Sequence, residues 1–171
     1  SNVYATYSQG FKGGSFDPRG QTTAAPDLNL DGTVSDDEIY TFMQFDPEEV
    51  NSYEVGYKAS QFNGRINYSL AAFYSDYKDV QVPGSIGVDT DGDGVNDSFS
   101  GVTTNAGAAT IRGVEFEGTA TVAEDMANAG DLLNIGWSLG YLDAEYDEFI
   151  DAFGNDVSDQ RVIQNTPDWT A

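Results

Sequence analysis

Apolar and polar residues alternate with a period of two along five stretches of the chain, the primary signature of β-strands. In residues 2 to 11, Val3, Ala5, Tyr7 and Phe11 share one face, and Tyr4, Thr6, Ser8 and Gly10 the other. Around 50 to 60, Tyr53, Val55, Tyr57 and Ala59 alternate with Ser52, Glu54, Gly56 and Lys58. Residues 64 to 80 set Ile66, Tyr68, Leu70, Ala72 and Tyr74 against Arg65, Asn67, Ser69 and Ala71. Residues 106 to 122 offer Val114, Phe116, Ala120 and Val122 opposite Gly113, Glu115, Glu117 and Thr119. The clearest run, 132 to 147, turns Leu133, Ile135, Trp137, Leu139 and Tyr141 one way, and Asn134, Gly136, Ser138 and Gly140 the other. A sixth strand begins within Asn165-Thr166-Pro167-Asp168-Trp169-Thr170-Ala171.

One face of each strand is apolar and aromatic, the other small, hydroxylated or charged. A half-buried soluble sheet gives the same alternation. The connections separate the two cases: long (12 to 49), short (61 to 63), long (81 to 105), short (123 to 131), then long again (148 to 164). That rhythm is the one a transmembrane barrel needs, with short turns on one side of the membrane and long loops on the other. Strands of about ten residues, at ~3.3 Å each and tilted by ~45°, rise roughly 24 Å, near the ~25 Å apolar band of an outer-membrane barrel. The fold expected is therefore all-β, a transmembrane antiparallel barrel segment of about six strands with long extracellular loops. Six strands left alone would keep two open edges, which lipid does not tolerate. Both ends of the chain also run directly into strands, so an internal segment of a longer protein is expected.

Composition narrows the chemistry. Ten Tyr, ten Phe and two Trp suit aromatic girdles at two membrane interfaces. Seven basic side chains against 29 acidic ones leave a net charge of −22, which argues against nucleic acid because a row of phosphates would go unneutralised. Without His or Cys there is no Ser-His-Asp or Cys-His centre, no zinc site of the usual ligands and no disulfide scaffold. Carboxylates, hydroxyls and amides remain, and these suit hard cations, above all calcium.

The wording of the strands carries a resemblance. Asn2-Val3-Tyr4-Ala5-Thr6-Tyr7-Ser8-Gln9-Gly10-Phe11-Lys12-Gly13-Gly14 resembles a strand and loop opening of TonB-dependent outer-membrane receptors, as does the run from Phe45 to Lys58. Ala71 to Gln81, Thr104 to Glu117, and Asn165-Thr166-Pro167-Asp168-Trp169-Thr170 are similar to later strands of that family, in order. The resemblance implies part of a barrel of about 22 strands around a plug domain, with the plug and the TonB box outside this chain. It implies an outer-membrane active transport receptor for a scarce ligand, in the siderophore-receptor-like branch. Ligand selection would lie in the loops, and no catalytic residue is expected. The implied partners are TonB, the plug and remaining barrel strands, outer-membrane lipid and lipopolysaccharide, and the imported small molecule. The alternative is a secreted, calcium-stabilised all-β adhesion or cohesin-binding module.

Two acidic motifs lie in the long loops. Asp27-Leu28-Asn29-Leu30-Asp31-Gly32-Thr33-Val34-Ser35-Asp36-Asp37-Glu38 matches a twelve-residue EF-hand loop. Asp27, Asn29 and Asp31 supply oxygens at positions 1, 3 and 5, Thr33 a carbonyl, Ser35 a water-mediated contact and Glu38 a bidentate carboxylate. A short helix is expected to leave it over 35 to 44. The second motif runs from Asp89 to Asp97, with Asp89, Asp91, Asp93 and Asp97 as side-chain ligands and Val95 as a carbonyl. Its twelfth position is Ser100, so weaker binding is expected. At an effective dielectric of ~20, like charges ~4 Å apart cost about 4 kcal/mol, and a structural calcium ion removes that repulsion.

Other constellations reduce to simpler explanations. Glu115 and Glu117, about 6.6 Å apart by strand rise, match a glycosidase pair only in spacing, and a polar lumen wall accounts for them. Gly10-Phe11-Lys12-Gly13-Gly14 lacks the spacing and following helix of a phosphate loop. Lys12, Arg19 and Arg161 fall in or beside outer loops, as ordinary loop charges or as contacts for an anionic ligand or lipopolysaccharide phosphate.

Overall fold

A computed structural model describes residues 1–20, 24–89, 93–105, 107–151 and 154–171. β1 (Asn2–Lys12), β4 (Glu48–Gln61), β5 (Ile66–Lys78), β8 (Gly107–Glu124), β9 (Leu132–Phe149) and β10 (Trp169–Thr170) form one six-stranded sheet in that order. Every pairing is antiparallel and joins strands successive in the sheet, so the wall is a meander. The short turns after β4 and β8 share one end, and the three long connections share the other. The long ones carry further elements: a two-residue ribbon of β2 (Ser15–Phe16) with β3 (Gln44–Phe45), helix α1 (Asp36–Met43), and a hairpin of β6 (Gln81–Val88) with β7 (Ser98–Asn105).

Register places the predicted apolar residues on one continuous face. Ala5, Val55, Ala72, Val114, Tyr141 and Trp169 stand in one cross-strand row, with Tyr57, Leu70, Phe116 and Leu139 in the next. This face is uncovered: Val3 is 70% exposed and Ile135 52%. Aromatic rings run across it at two heights. Toward the loops, Tyr7, Tyr53 and Tyr74 line up with ring centroids 5.1 and 6.5 Å apart. Toward the turns, Tyr57, Tyr68, Phe116 and Trp137 follow one another at 5.6 to 6.3 Å. Amphipathic rings favour the interfaces of a bilayer, and aliphatic Ile66, Ala120 and Ile135 continue the apolar face on the turn side of Trp137.

The opposite face is polar. Tyr4 donates to Glu54 Oε1 at 2.6 Å, and Ser52 and Ser75 share a 2.8 Å hydrogen bond. Glu115 and Glu117 lie on this face, where Ser138 Oγ donates to Glu117 Oε1 at 3.4 Å. The pair is thus part of a polar wall that also lines a recess of about 1040 Å³ near the turn end, with Asn2, Lys58, Asn67 and Ser138. Gly56 and Gly118 let large rings lie flat on the sheet, since a Cβ at either would collide with Tyr4 or Trp137.

Two β-bulges interrupt the long β8–β9 pair, one between Ala108 and Ala109 and one between Thr121 and Ala123. At the upper bulge the extra residue is Asp147, whose carboxylate accepts a 2.7 Å hydrogen bond from the buried Thr110 hydroxyl.

Candidate functional site

The functional surface is built at the loop end, where three segments far apart in sequence are tied together by buried polar groups. Asp17, 3% exposed, is the central anchor. Arg19 grips its carboxylate through Nε at 3.0 Å and Nη2 at 2.6 Å, while the Thr103 hydroxyl donates to Asp17 Oδ2 at 2.7 Å. The Arg19 guanidinium holds the Asp17 carboxyl well below the usual carboxylate range, against the opposing effect of burial. Asp17 N–H also donates to the Met43 carbonyl at the end of α1. The clasp therefore joins α1, the first loop and β7.

Gln81 makes a second tie. Its buried Nε2 reaches the carbonyls of Lys12, Gly13 and Asp46 at 3.0 to 3.3 Å, and its N–H donates to Glu48 Oε2 at 2.9 Å. Asn105 extends it, accepting from Asp46 N–H and donating to the carbonyls of Asp46 and Asp79. Asp17, Thr103, Gln81 and Asn105 belong to no motif. Their partners lie up to 86 residues away, and nothing local in the chain marks them.

The first acidic motif folds into the turn its spacing predicts. Asp27 Oδ2 accepts from Gly32 N–H at 2.8 Å, Asn29 Oδ1 from Asp31 N–H at 2.9 Å, and Asp31 Oδ1 from Thr33 N–H and Oγ1. Gly32 has φ +90°, the left-handed conformation that favours glycine. Ser35 caps α1 in a capping box with Glu38, and three acidic residues crowd the positive end of the helix dipole. Glu38 is buried. Its Oε1 accepts from Leu28 and Asn29 N–H, and its Oε2 from Ser35 N–H and Oγ. These donors, Ser35 first, pull its carboxyl down to about 2. The Thr33 hydroxyl and N–H lower that of Asp31. The donor set fits calcium in kind, being all hard oxygen. Among the described residues, however, no three acidic side chains meet in one cluster. To hold a cation, Glu38 must therefore exchange backbone N–H partners for the metal.

Of the second motif, Asp91 lies outside the described residues, with Thr90 and Gly92. Asp89 Oδ2 accepts from Gly94 N–H at 2.7 Å, and Asp93 Oδ1 from Val95 N–H at 2.8 Å. Asp97 N–H donates to the Val88 carbonyl, closing the hairpin. Ser100 is fully buried in β7, where its hydroxyl donates to the Arg19 carbonyl. That hydroxyl thus belongs to the loop clasp.

In the third loop, Asp156 Oδ1 accepts from Ser158 and Phe149 N–H at 3.0 and 3.1 Å, which lowers its carboxyl. This fixes Phe149, and the Arg161 guanidinium lies 5.1 Å from that ring's centroid. Phe42 of α1, the β6–β7 hairpin, Phe149, Ile150, Asp151 and Arg161 then line one cavity of about 770 Å³. All three long loops contribute to it.

An antiparallel meander wall with an uncovered apolar face, crossed twice by aromatic rings and capped at one end by long loops, fits an outer-membrane β-barrel receptor. The chain belongs to the family of TonB dependent receptor-like β-barrels, whose model matches residues 1–171. No curated protein and no solved structure matches it. Membership places the protein in the bacterial outer membrane, in a transporter family that works with TonB and a plug domain.

Proposed function

We propose that this receptor takes up a scarce small molecule, a ferric siderophore or similar iron complex, which its extracellular loops engage before TonB-driven import. The observation that carries the reading is the convergence of all three long loops on one cavity of about 770 Å³, within the size range of small-molecule sites. Buried polar ties hold the first two of those loops in place, so less conformational entropy is lost on capture. The two acidic loops, 27 to 38 and 89 to 97, hold structural calcium at the affinities of extracellular modules, ~10⁻⁴ to 10⁻³ M. Lipopolysaccharide borders the girdle of Tyr7, Tyr53 and Tyr74.

Uptake of radioactive iron by iron-starved cells carrying the full-length receptor, offered a panel of ferric siderophores, tests the reading. Receptor-dependent accumulation of at least one complex is expected. No accumulation across the panel would remove iron from the proposal.

A further inference from the structure

The chain has seven basic residues, of which Arg19, Arg65 and Arg112 stand in ion pairs. Arg19 is consumed by Asp17, Arg112 pairs with Asp143 at 2.8 Å, and Arg65 faces Glu124 at 3.7 Å. Lys12 and Lys78 stand opposite Glu48 and Glu49 in register, and Lys58 lies over the Tyr4 ring on the polar wall. Arg161 differs. It is the basic residue that lines the three-loop cavity, where its guanidinium rests on the Phe149 ring and, as for Lys58, no ion pair with a carboxylate among the described residues holds it. Stacking on a ring occupies the face of a guanidinium and leaves its edge N–H donors for a planar anion.

The rest of the cavity is chiefly apolar, with Phe42, Val82, Pro83, Ile86 and Val102 among its lining. Its acidic side chain, Asp151, is engaged within its own loop, where Oδ1 accepts from Asn155 N–H at 2.9 Å. We infer that this cavity is a binding site for an organic anion with an apolar frame, whose carboxylate pairs with Arg161 while its hydrocarbon or ring face lies against Phe42, Ile86 and Phe149. The chain's net charge of −22 repels an anion at a distance, but that repulsion is screened beyond ~8 Å at physiological ionic strength, so contact at Arg161 decides. The inference deepens the uptake reading and rests on its assignment of the loops to ligand capture.

The test uses the full-length receptor in detergent with 4-(trifluoromethyl)benzoate and its uncharged amide as probes, followed by fluorine NMR against empty micelles. The acid should bind more tightly than the amide. Removing a charged hydrogen-bond donor in Arg161→Gln should weaken the acid about tenfold or more while leaving the amide unchanged. Arg161→Lys should restore part of the loss. Pro83→Phe, which fills the cavity without touching the charge, should weaken both probes. Equal binding of acid and amide, or an acid isotherm indifferent to Arg161→Gln, overturns the inference. Iron uptake that persists alongside an indifferent isotherm would sink the pocket and spare the uptake reading. An Arg161-dependent isotherm without any iron uptake would do the reverse.

Discussion

The wall and the loop cap of this protein are stabilised in opposite ways. Along the wall antiparallel backbone ladders run from strand to strand, and large apolar side chains point outward uncovered: Val3, Val55, Leu70, Val114, Ile135 and Leu139 are all at least 43% exposed. In the cap, by contrast, Asp17, Glu38, Gln81 and Ser100 are buried together with Ala25, Val88 and Val102. A wall whose partner is hydrocarbon needs only alternation and a closed hydrogen-bond ladder. The cap faces water, fully buries few apolar side chains, and takes its shape from buried donors and acceptors that fit one arrangement. Sequence change should therefore be tolerated by kind in the wall and by individual residue in the cap.

The strongest test of this contrast is a charge on the outer face at mid-height. Leu139→Arg should cost ~2–4 kcal/mol in a folding titration into lipid vesicles, whereas Ser138→Arg on the polar face should cost far less. Ile135→Arg, one step beyond the Trp137 girdle toward the turns, should fall between them. Equal costs at Leu139 and Ser138 would break the assignment of faces.

A smaller effect, confined to the cap, follows from Asp17→Ala. Losing a buried acceptor and stranding its donors costs about 1–3 kcal/mol. It should appear as faster hydrogen exchange in residues 15–20 and 98–105, with the wall's exchange unchanged. Loss of protection throughout the wall would show that cap and wall are one cooperative unit.

Smaller still is a pH effect at Glu38. Its folded value of about 2 lies below the ordinary 4.5, so its contribution is complete above 4.5 and is lost as pH falls toward 2. Exchange protection of the Leu28, Asn29 and Ser35 amides should be flat from neutral pH down to about 5 and decline below it. Glu38→Gln should flatten that profile. For the calcium sites proposed in the two acidic loops, calorimetric titration of the same variant should show weaker binding at 27 to 38, while Ser100→Ala, whose hydroxyl is turned to Arg19, should leave the isotherm of 89 to 97 nearly unaltered.

The wall was readable in the sequence because alternation is a local signal. Residues 2 to 11, 50 to 60 and 132 to 147 became β1, β4 and β9 with ends shifted by a few residues, and the helix expected over 35 to 44 is α1, Asp36–Met43. The β6–β7 hairpin was not. Gln81-Val82-Pro83-Gly84 breaks the alternation, and a proline fits there because this strand pairs on one side only. The clasp was beyond reach for a different reason. Asp17 and Thr103 are ordinary loop residues until the topology brings them together, and Arg19 and Arg161 look alike until one acquires a carboxylate and the other a ring.

The two bulges of the β8–β9 pair have a consequence for where this protein can live. From Ala109 to Thr121 the ladder runs without interruption, twelve residue steps between the irregularities. At ~3.3 Å per residue and ~45° of tilt those steps climb ~28 Å, close to the ~25 Å hydrocarbon thickness that outer-membrane barrels match. Bulges twist and bend a strand, so they bracket the stretch over which the wall keeps strict two-faced order. A bilayer much thicker than that stretch would have to thin around the protein, at a cost that grows with each ångström of mismatch. The spacing of two extra residues, Asp147 and Val122, thus acts as a gauge of membrane thickness, and it suits the thin outer membrane better than thicker bilayers.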